Sequence, residues 1–195
     1  SDKEGGTQKK ESDSSVKTAR VVANGDILIH DALYYTAKKE DGSYDFNPFF
    51  EYVKPWIEGA DLAIGDFEGT ISDRSPLGGY PLFNAPVQIA DTMKDVGYDV
   101  VDLAHNHILD TGLYGLKYTD KVFKERGLDT IGVHADKNRS EDKILIKEVN
   151  GIKIAILAYA YGYNGMDANL TAEDKTNHLS DLDEEKMKEE IQRAE

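Results

Sequence analysis

Short apolar runs alternate with amphipathic segments along most of this chain. Apolar runs rich in β-branched residues predict strands at 19–24, 61–64, 98–103 and 129–133. Apolar residues at three- and four-residue spacing predict helices at 31–39, from 47 onward, at 86–96, at 113–126 and at 181–194. Because strands and helices take turns along the sequence, the pattern predicts an α/β fold.

The helix that starts near residue 47 has a distinct signature. Asn47 is predicted to be its N-cap, with Pro48 in the first turn, where a missing N–H is tolerated. The apolar positions of this helix predict a core-facing stripe, formed by Phe49, Phe50, Val53, Trp56 and Ile57. Pro55 is expected to kink the helix or to end it early.

The other segments are predicted to be turns, loops and one hairpin. β-Rich runs at 144–149 and 152–159 flank Asn150-Gly151, a pair favoured in two-residue hairpin turns. Residues 65–69 predict a turn rich in carboxylates, and long loops are predicted at 72–85 and 159–177. The charged helix at 181–194 carries only a thin apolar stripe of Met187, Ile191 and Ala194.

Length and composition predict one compact domain behind a polar tail. A chain of 195 residues with 39% hydrophobic residues can bury a sizeable core. Residues 1–18 are rich in Ser, Lys and Glu and nearly free of apolar side chains, so they predict a disordered tether. We therefore expect a domain at 19–195, and no apolar run in the sequence is long enough to span a membrane.

The charge balance and the absence of cysteine limit the possible chemistry. The chain has 23 Lys and Arg against 37 Asp and Glu, a formal net charge of −14. This charge repels nucleic acid, which we do not expect as a partner, and it favours cations, including divalent metals. Because there are no cysteines, disulfides and thiolate-zinc sites are excluded, and any metal must use oxygen and nitrogen ligands.

Polar side chains that suit a metal ion follow three of the predicted strands. In chain order they are Asp26 with His30, Asp66 with Glu68, and Asn106 with His107 and Asp110. If these strands are parallel neighbours, their carboxyl ends meet at one edge of the sheet, where open α/β sheets bind ligands. Carboxylate, amide and imidazole groups at that edge predict a metal centre with a proton-transferring histidine.

A purely local interpretation of the same residues stays open. Gly-Asp after a strand is ordinary turn chemistry, as at Gly25-Asp26 and Gly65-Asp66. Likewise, Asp110 or Thr111 could be the N-cap of the following helix, with the nearby histidines on the surface.

Three blocks of this sequence resemble a known family. They are Gly25-Asp26-Ile-Leu-Ile-His30, Gly65-Asp66-Phe-Glu68-Gly69 and His105-Asn106-His107-Ile-Leu-Asp110-Thr-Gly112. Together they resemble, in order and spacing, the CapA (poly-γ-glutamate capsule biosynthesis) family of the calcineurin-like metallophosphoesterases. The hairpin at 149–159 is similar to a further family segment, so the resemblance runs from about Val21 to the C-terminus.

The resemblance implies a fold and a role for each site residue. The fold would be a metallophosphoesterase-like layered α/β sandwich with central mixed sheets. The metal ligands would be Asp26, the bridging carboxylate Glu68 and Asn106, with His30 as a further candidate at a spacing that departs from the family pattern. His107 would donate a proton to the leaving group, and Asp110 would orient its imidazole.

The resemblance also implies divalent ions, and it has one departure. One ion or a pair of ions, of Mn, Zn, Fe or Mg, would lower the pKa of bound water and so supply a nucleophile. The family's later Gly-His-x-His-like block has no counterpart after Tyr159. Either the chain is an N-terminal fragment of the full domain or the centre is vestigial, and an end on an unpartnered helix favours the fragment.

Three functions follow for comparison. The first is a capsule biosynthesis or anchoring protein with a metal-dependent phosphoesterase-like site, exported and held at the extracellular face of the cell membrane by its tether or a lipid anchor. Its partners would be the capsule polymer or its synthesis machinery. The second is a non-catalytic surface scaffold that keeps this fold. The third, a doubly wound nucleotide-binding domain, ranks last because Asn24-Gly25-Asp26-Ile27 supplies only one glycine.

Overall fold

The computed structural model describes residues 16–195, which contain six strands and seven α-helices. The strands are β1 (Val21–Leu28), β2 (Leu62–Glu68), β3 (Val100–Asp102), β4 (Asp129–Ile131), β5 (Leu145–Val149) and β6 (Ile152–Ile156). The helices are α1 (Asp31–Ala37), α2 (Asn47–Phe50), α3 (Lys54–Glu58), α4 (Gln88–Val96), α5 (Gly112–Glu125), α6 (Ala172–His178) and α7 (Glu184–Ala194). The predicted tether lies outside the described residues, except for its last three positions.

The predicted α/β fold is confirmed, with a parallel sheet at its centre. Strands β1 to β4 form this sheet in chain order, and each neighbouring pair is parallel. Strands β5 and β6 form the predicted antiparallel hairpin around Asn150-Gly151. In residues 16–195 the parallel and antiparallel strands therefore belong to two separate sheets, and neither sheet is mixed as the resemblance implied.

Two apolar clusters lie on the two faces of the parallel sheet and make the fold a layered sandwich. On β2, Ala63 and Phe67 belong to the larger cluster, which also contains most of the buried side chains of α4 and α5. Leu62 and Ile64 belong to the smaller cluster, together with side chains of the hairpin. Successive strand residues point to opposite faces, so this division follows from the pleat.

Strands β1 and β2 are longer than the sequence predicted, and this changes the placement of the acidic residues. A bulge between Asn24 and Asp26 leaves Gly25 without a register partner, after which β1 continues to pair with β2 as far as Leu28 opposite Glu68. The predicted turn at 65–69 is therefore wrong, because Asp66 and Glu68 lie inside β2. Backbone pairing along the full length of β1 overrides the local turn preference of Gly-Asp.

The predicted helix from residue 47 is two short helices, and most of its predicted stripe is wrong. Phe46 occupies the N-cap position of α2, so Asn47 is the first helical residue and not the cap. Ile57 is buried and Phe50 is partly buried, but the other members of the stripe are exposed: Phe49, Val53 and Trp56. The break at 51–53 changes the helical phase, and Pro55 lies in the first turn of α3.

The C-terminal segment also differs from the prediction. The predicted loop at 159–177 contains a 3₁₀ turn and helix α6, whose Thr171 and Asp174 form a reciprocal capping box. The Thr-x-x-Asp spacing was the signal that could have revealed this helix. On α7 the predicted apolar stripe is only partly covered, since Ile191 is 47% exposed while Met187 and Ala194 are partly buried. The fully buried residue of this helix is Glu190, paired with Arg139.

No helix among the described residues is both long enough and apolar enough to cross a membrane.

Candidate metal centre

Three aspartates form a row across the parallel sheet, near the carboxyl ends of its strands. Asp26 on β1 is the register partner of Asp66 on β2, and Asp66 is the partner of Asp102 on β3. Register partners on neighbouring strands point to the same face, about 4.8 Å apart at the backbone. Glu68 lies two residues beyond Asp66 on the same face of β2, and we call these four side chains the acidic row. Asp102 was missed in the sequence because it lies within an apolar run.

Burial and mutual repulsion raise the pKa values of two of these carboxylates, Asp66 and Glu68. Burial raises the pKa of Asp66 to about 7, and the negative charges of Asp102, Asp26 and Glu68 add to the rise. Burial and Asp26 also raise the pKa of Glu68, although His107 opposes that rise. Within residues 16–195, the buried Oδ1 of Asp66 has no hydrogen-bond partner. A cation near this row would relieve the repulsion and give that oxygen a partner.

His107 and Asp110 form a buried pair beside the row. The Nδ1 atom of His107 lies 2.7 Å from Oδ2 of Asp110, which also accepts a 2.7 Å hydrogen bond from the Phe83 N–H. This arrangement places the Nδ1–H on the side of Asp110 and turns Nε2 towards Glu68, whose Oε1 is 3.8 Å away. The Phe83 ring packs edge-on against the imidazole, at 4.7 Å between ring centroids.

The local interpretation of this segment accounts for little of the geometry. Thr111 does occupy the N-cap position of α5, but its side chain makes no capping hydrogen bond. Asp110 faces His107 and Phe83 instead. Both His105 and His107 are buried, so they are not surface histidines.

His105 is a second residue whose importance the sequence did not reveal. Its Nδ1 accepts a hydrogen bond from the His107 N–H at 3.2 Å, while its Nε2 lies 3.4 Å from the backbone nitrogen of Gly69, directly after β2. Burial, and then the neighbouring His107, lower the pKa of His105 to about 3, so its imidazole is neutral at physiological pH. A neutral His105 therefore fixes the loop after β3 against β2.

Asn106 is held by a residue from a distant part of the chain. Its Nδ2 donates to Oδ1 of Asn164 at 3.2 Å, although the two residues are 58 positions apart. The Nδ2 atom of Asn164 also lies 3.5 Å from Nδ1 of His107. Asn164 had no sequence signal beyond its Asn-Gly pair, which marks a turn but not a site.

The recorded side-chain contact of His30 is with an aromatic ring. Its ring packs edge-on against Phe83 at 4.8 Å between centroids, so Phe83 contacts both His30 and His107. None of the side-chain hydrogen bonds found in residues 16–195 joins His30 to Asp26. The predicted role of His30 as a ligand therefore gains no support from contacts, and the roles of the other site residues stay predictions.

These side chains are chemically suited to bind a divalent cation, but they do not form a complete coordination site. Carboxylates with raised pKa values and the unpartnered Asp66 Oδ1 are the groups that an oxygen-preferring cation would stabilise. Within the described part of the chain, however, no three His, Asp or Glu side chains are grouped so that they could hold an ion. These residues would supply part of a coordination shell.

Two open grooves meet at Asn106 and Asn164. One has a volume of about 720 Å³ and is lined by 104–106 and by the aromatic stretch 159–165. The other, of about 520 Å³, is lined by 80–82 together with His107 and Asp110. The edge of the sheet is therefore open to solvent on both sides of the asparagine pair.

Comparison with known proteins identifies the family. Residues 20–195 match the family described as "Bacterial capsule synthesis protein PGA_cap". The chain belongs to this family. The predicted relationship to capsule biosynthesis proteins is thus confirmed, and the metallophosphoesterase-like sandwich is consistent with it.

Individual relatives match over part of their length. The chain is 30% identical to the capsule biosynthesis protein CapA of Bacillus anthracis over 122 residues, which are 60% of this chain and 29% of that protein. It is 28% identical to the PGA biosynthesis protein CapA of Bacillus subtilis (strain 168) over 116 residues, or 56% and 30% of the two chains. It is also 24% identical to the uncharacterized protein y4uA of Sinorhizobium fredii over 153 residues, or 75% and 31%. The matched stretch thus covers about 30% of each relative.

Proposed function

We propose that this chain acts in bacterial capsule synthesis and carries a metal-dependent hydrolase site for a phosphoester or a related bond. Family membership supports the first part, since two relatives are named as capsule or PGA biosynthesis proteins. The observation that carries the second part is the buried His107–Asp110 pair, whose Nε2 lies 3.8 Å from Oε1 of Glu68, beside the aspartates of β1 and β2.

The acidic row would hold the cation. Asp26, Asp66 and Glu68 would supply carboxylate oxygens, and Asn106 would supply its amide oxygen, which suits Mn, Zn, Fe or Mg. A bound divalent ion, or a pair, supplies Lewis acidity and lowers the pKa of coordinated water. The carboxylates then no longer repel one another, because the cation compensates the charges that raise the pKa values of Asp66 and Glu68.

The proton-transferring part is formed by the chain itself. Asp110 accepts the Nδ1–H of His107, which fixes the tautomer and ring orientation. The Nε2 atom is then the position from which a proton passes to the leaving oxygen of the substrate. Burial raises the pKa of Asp110, and the hydrogen bonds from Phe83 and His107 oppose that rise. A carboxylate at this position would stabilise a protonated imidazole.

A hydrolysis assay tests this proposal. The purified chain is incubated with Mn²⁺, Zn²⁺ or Mg²⁺ and bis(p-nitrophenyl) phosphate, beside the variants Asn106→Ala and His107→Gln. His178→Gln is the matched control, because His178 is also partly buried but its Nδ1 bonds to the His134 carbonyl, away from the acidic row. Metal-dependent turnover that survives in the control and is lost in both site variants is the expected result. Turnover that is equal in all four proteins contradicts the assignment.

A non-catalytic scaffold is the second candidate, and one observation favours it. No three-residue His, Asp or Glu group that could hold an ion occurs in 16–195, so the centre is incomplete among these residues. A scaffold would bind the capsule polymer or its synthesis machinery without turnover. Absence of hydrolysis with every metal, combined with retention of the chain on immobilised capsule polymer, would favour the scaffold over the hydrolase.

For the cell, we propose that the protein is exported and held at the extracellular face of the membrane through its N-terminal segment. The support is compositional: residues 1–18 are polar and rich in Ser, Lys and Glu, as a tether would be. Protease treatment of intact capsule-forming cells should remove the protein. Protection until the cells are lysed would contradict this location.

A further inference from the structure

Two Asn-Gly turns in this protein have nearly the same backbone conformation. Asn150 and Gly151 have φ values of 52° and 74°, and Asn164 and Gly165 have φ values of 52° and 78°. These are the only two non-glycine residues with positive φ in the described part of the chain. Two consecutive positive φ angles are typical of a type I′ turn, for which Asn-Gly is a favoured pair.

The surroundings of the two turns differ. Asn150 lies at the tip of the β5–β6 hairpin, where its side chain donates to the backbone carbonyl of Thr18. Asn164 lies where the two grooves meet, and its turn is closed by a hydrogen bond from the Met166 N–H to the Tyr163 carbonyl. The turn sequence explains why an asparagine is tolerated at both positions, but it does not explain the contacts of Asn164.

The side chain of Asn164 settles which way the Asn106 amide faces. An amide has one oxygen that accepts and one nitrogen that donates, and either could point towards a ligand. Because Oδ1 of Asn164 accepts from Nδ2 of Asn106 at 3.2 Å, the Asn106 nitrogen is occupied. The Asn106 oxygen is left as the acceptor, and of the two amide atoms only the oxygen can bind a cation.

The Asn164 turn is itself firmly anchored. Tyr163, which directly precedes Asn164, is buried, and its hydroxyl donates to Oδ1 of Asp181 at 2.8 Å. The neighbouring segment is paired as well, since the Ala160 N–H donates to the Ser180 carbonyl and the Leu182 N–H donates to the Ala160 carbonyl. The acceptor that Asn164 offers to Asn106 is therefore held at a fixed position.

We propose that Asn164 is a positioning residue for the candidate metal centre, which orients the Asn106 amide so that its oxygen faces the cation. The inference rests on the proposed function for the identity of the ligand. The orientation of Asn106 is independent of any metal, however, and it can be measured in the metal-free protein. Partners that orient metal ligands in this way commonly change metal affinity by 10- to 100-fold when they are removed.

Three variants separate the side chain from the turn. Asn164→Gly keeps the positive φ without strain and removes the amide. Asn164→Asp keeps an oxygen acceptor for Asn106 in the same place. Asn150→Gly is the matched control, because it makes the same change in a turn with the same φ, where the amide donates to the Thr18 carbonyl instead of contacting Asn106.

The first measurement is the ¹⁵N–¹H spectrum of the Asn106 side-chain amide in the metal-free protein. We expect a hydrogen-bonded NH₂ signal in the wild type, in Asn164→Asp and in Asn150→Gly, and its loss in Asn164→Gly. An unchanged Asn106 signal in Asn164→Gly would overturn the inference. Thermal unfolding of each variant shows whether the fold is retained.

The second measurement is Mn²⁺ affinity by titration calorimetry. We expect about tenfold or weaker binding in Asn164→Gly, and wild-type affinity in Asn150→Gly. Recovery in Asn164→Asp supports positioning through the oxygen acceptor, whereas equal affinity in Asn164→Gly and the wild type overturns the link to the metal. If the wild type binds no Mn²⁺ while the Asn106 signal depends on Asn164, the proposed metal function fails and the positioning contact stands.

Discussion

Replacing Glu190 by Gln is expected to release helix α7 from the domain. Arg139 and Glu190 form a two-point ion pair, with 2.7 Å between Nε and Oε1 and 3.1 Å between Nη2 and Oε2. Arg139 is 4% exposed and Glu190 is 7% exposed, so the pair has almost no water around it. Glu190 is the one fully buried residue of α7, whose apolar side chains are partly buried or exposed, so we expect this pair to contribute most to attaching the helix.

The expected cost follows from what Arg139 loses. Removal of one partner from a buried pair costs about 3–5 kcal/mol, because the other charge stays buried without compensation. Two further acceptors lower the penalty: Nη1 of Arg139 also lies 3.3 Å from the Leu179 carbonyl and 3.5 Å from that of Asp181. Gln also keeps one oxygen that can accept from the guanidinium. We therefore expect a loss of about 3 kcal/mol, or detachment of α7 if detachment costs less.

Hydrogen exchange and urea unfolding together measure this effect. In Glu190→Gln, we expect the amides of α7 to lose protection while those of β2 keep it, with a lower urea midpoint if the loss is global. Glu189→Gln is the matched control, because its side chain is the neighbouring exposed carboxylate on the same helix. Equal α7 exchange and equal urea midpoints in the two variants would refute the assignment of helix docking to this pair.

Three other variants test the loop after β3 and the acidic row. Gly132→Ala should destabilise the protein more than Gly127→Ala in urea unfolding, by more than about 1 kcal/mol: both glycines have positive φ, but only at Gly132 would a Cβ lie 2.5 Å from the Ala104 Cβ. His105→Gln should make the free energy of unfolding less sensitive to acid. Because the pKa of His105 is lowered in the folded chain, only the unfolded chain binds this proton between about pH 6.5 and about pH 3, and the wild type loses about 1.4 kcal/mol per pH unit as the pH falls through that range. Asp66→Asn should have the opposite effect. Because the pKa of Asp66 is raised to about 7, the folded chain keeps this proton to a higher pH than the unfolded chain, and the wild type loses stability as the pH rises from about 4 to about 7. Unfolding of the variant without metal should not show this loss.

Elements with strong local signals were predictable from the sequence. The hairpin follows from Asn150-Gly151 between two β-rich runs, and α4 ends where Gly97 adopts a positive φ of 106°. The parallel orientation of β1 to β4 is also expected from the alternation of strands and helices, whereas their order in the sheet was only assumed. In these cases the residues that decide the structure are neighbours in the chain, so a local pattern contains enough information.

Strand length and helix packing were less predictable because they depend on distant partners. The sequence places Asp66 and Glu68 in a turn, since Gly-Asp favours turns, but pairing with β1 extends β2 through both residues. The predicted stripe of the helix from residue 47 assumed one unbroken helix, and the interruption at 51–53 rotates its second half. In both cases the tertiary context overrides a correct local preference.

The candidate site was predictable only where polar residues follow apolar runs. Asp26, Glu68, Asn106, His107 and Asp110 stand out by that position, and the parallel register brings their elements to one edge. Asp102 does not stand out in this way, because it lies within the apolar run that predicts the strand before the Asn-His block. Only its register opposite Asp66 shows that it belongs to the acidic row.

The acidic row and the asparagine pair are both formed by residues that are distant in the sequence and meet only in the folded chain. Asp66 and Asp102 are brought together by the sheet, while Asn106 and Asn164 meet because the segment after β6 folds back over the loop after β3. The Tyr163 hydroxyl of that segment donates to the Asp181 side chain, and Arg139 contacts the backbone carbonyl of the same Asp181. The docking of α7 and the orientation of Asn106 are therefore linked by hydrogen bonds at Asp181 and Asn164 and by the covalent chain between Tyr163 and Asn164. If this connection is correct, Glu190→Gln should also weaken the Asn106 side-chain amide signal, whereas Glu189→Gln should leave it unchanged.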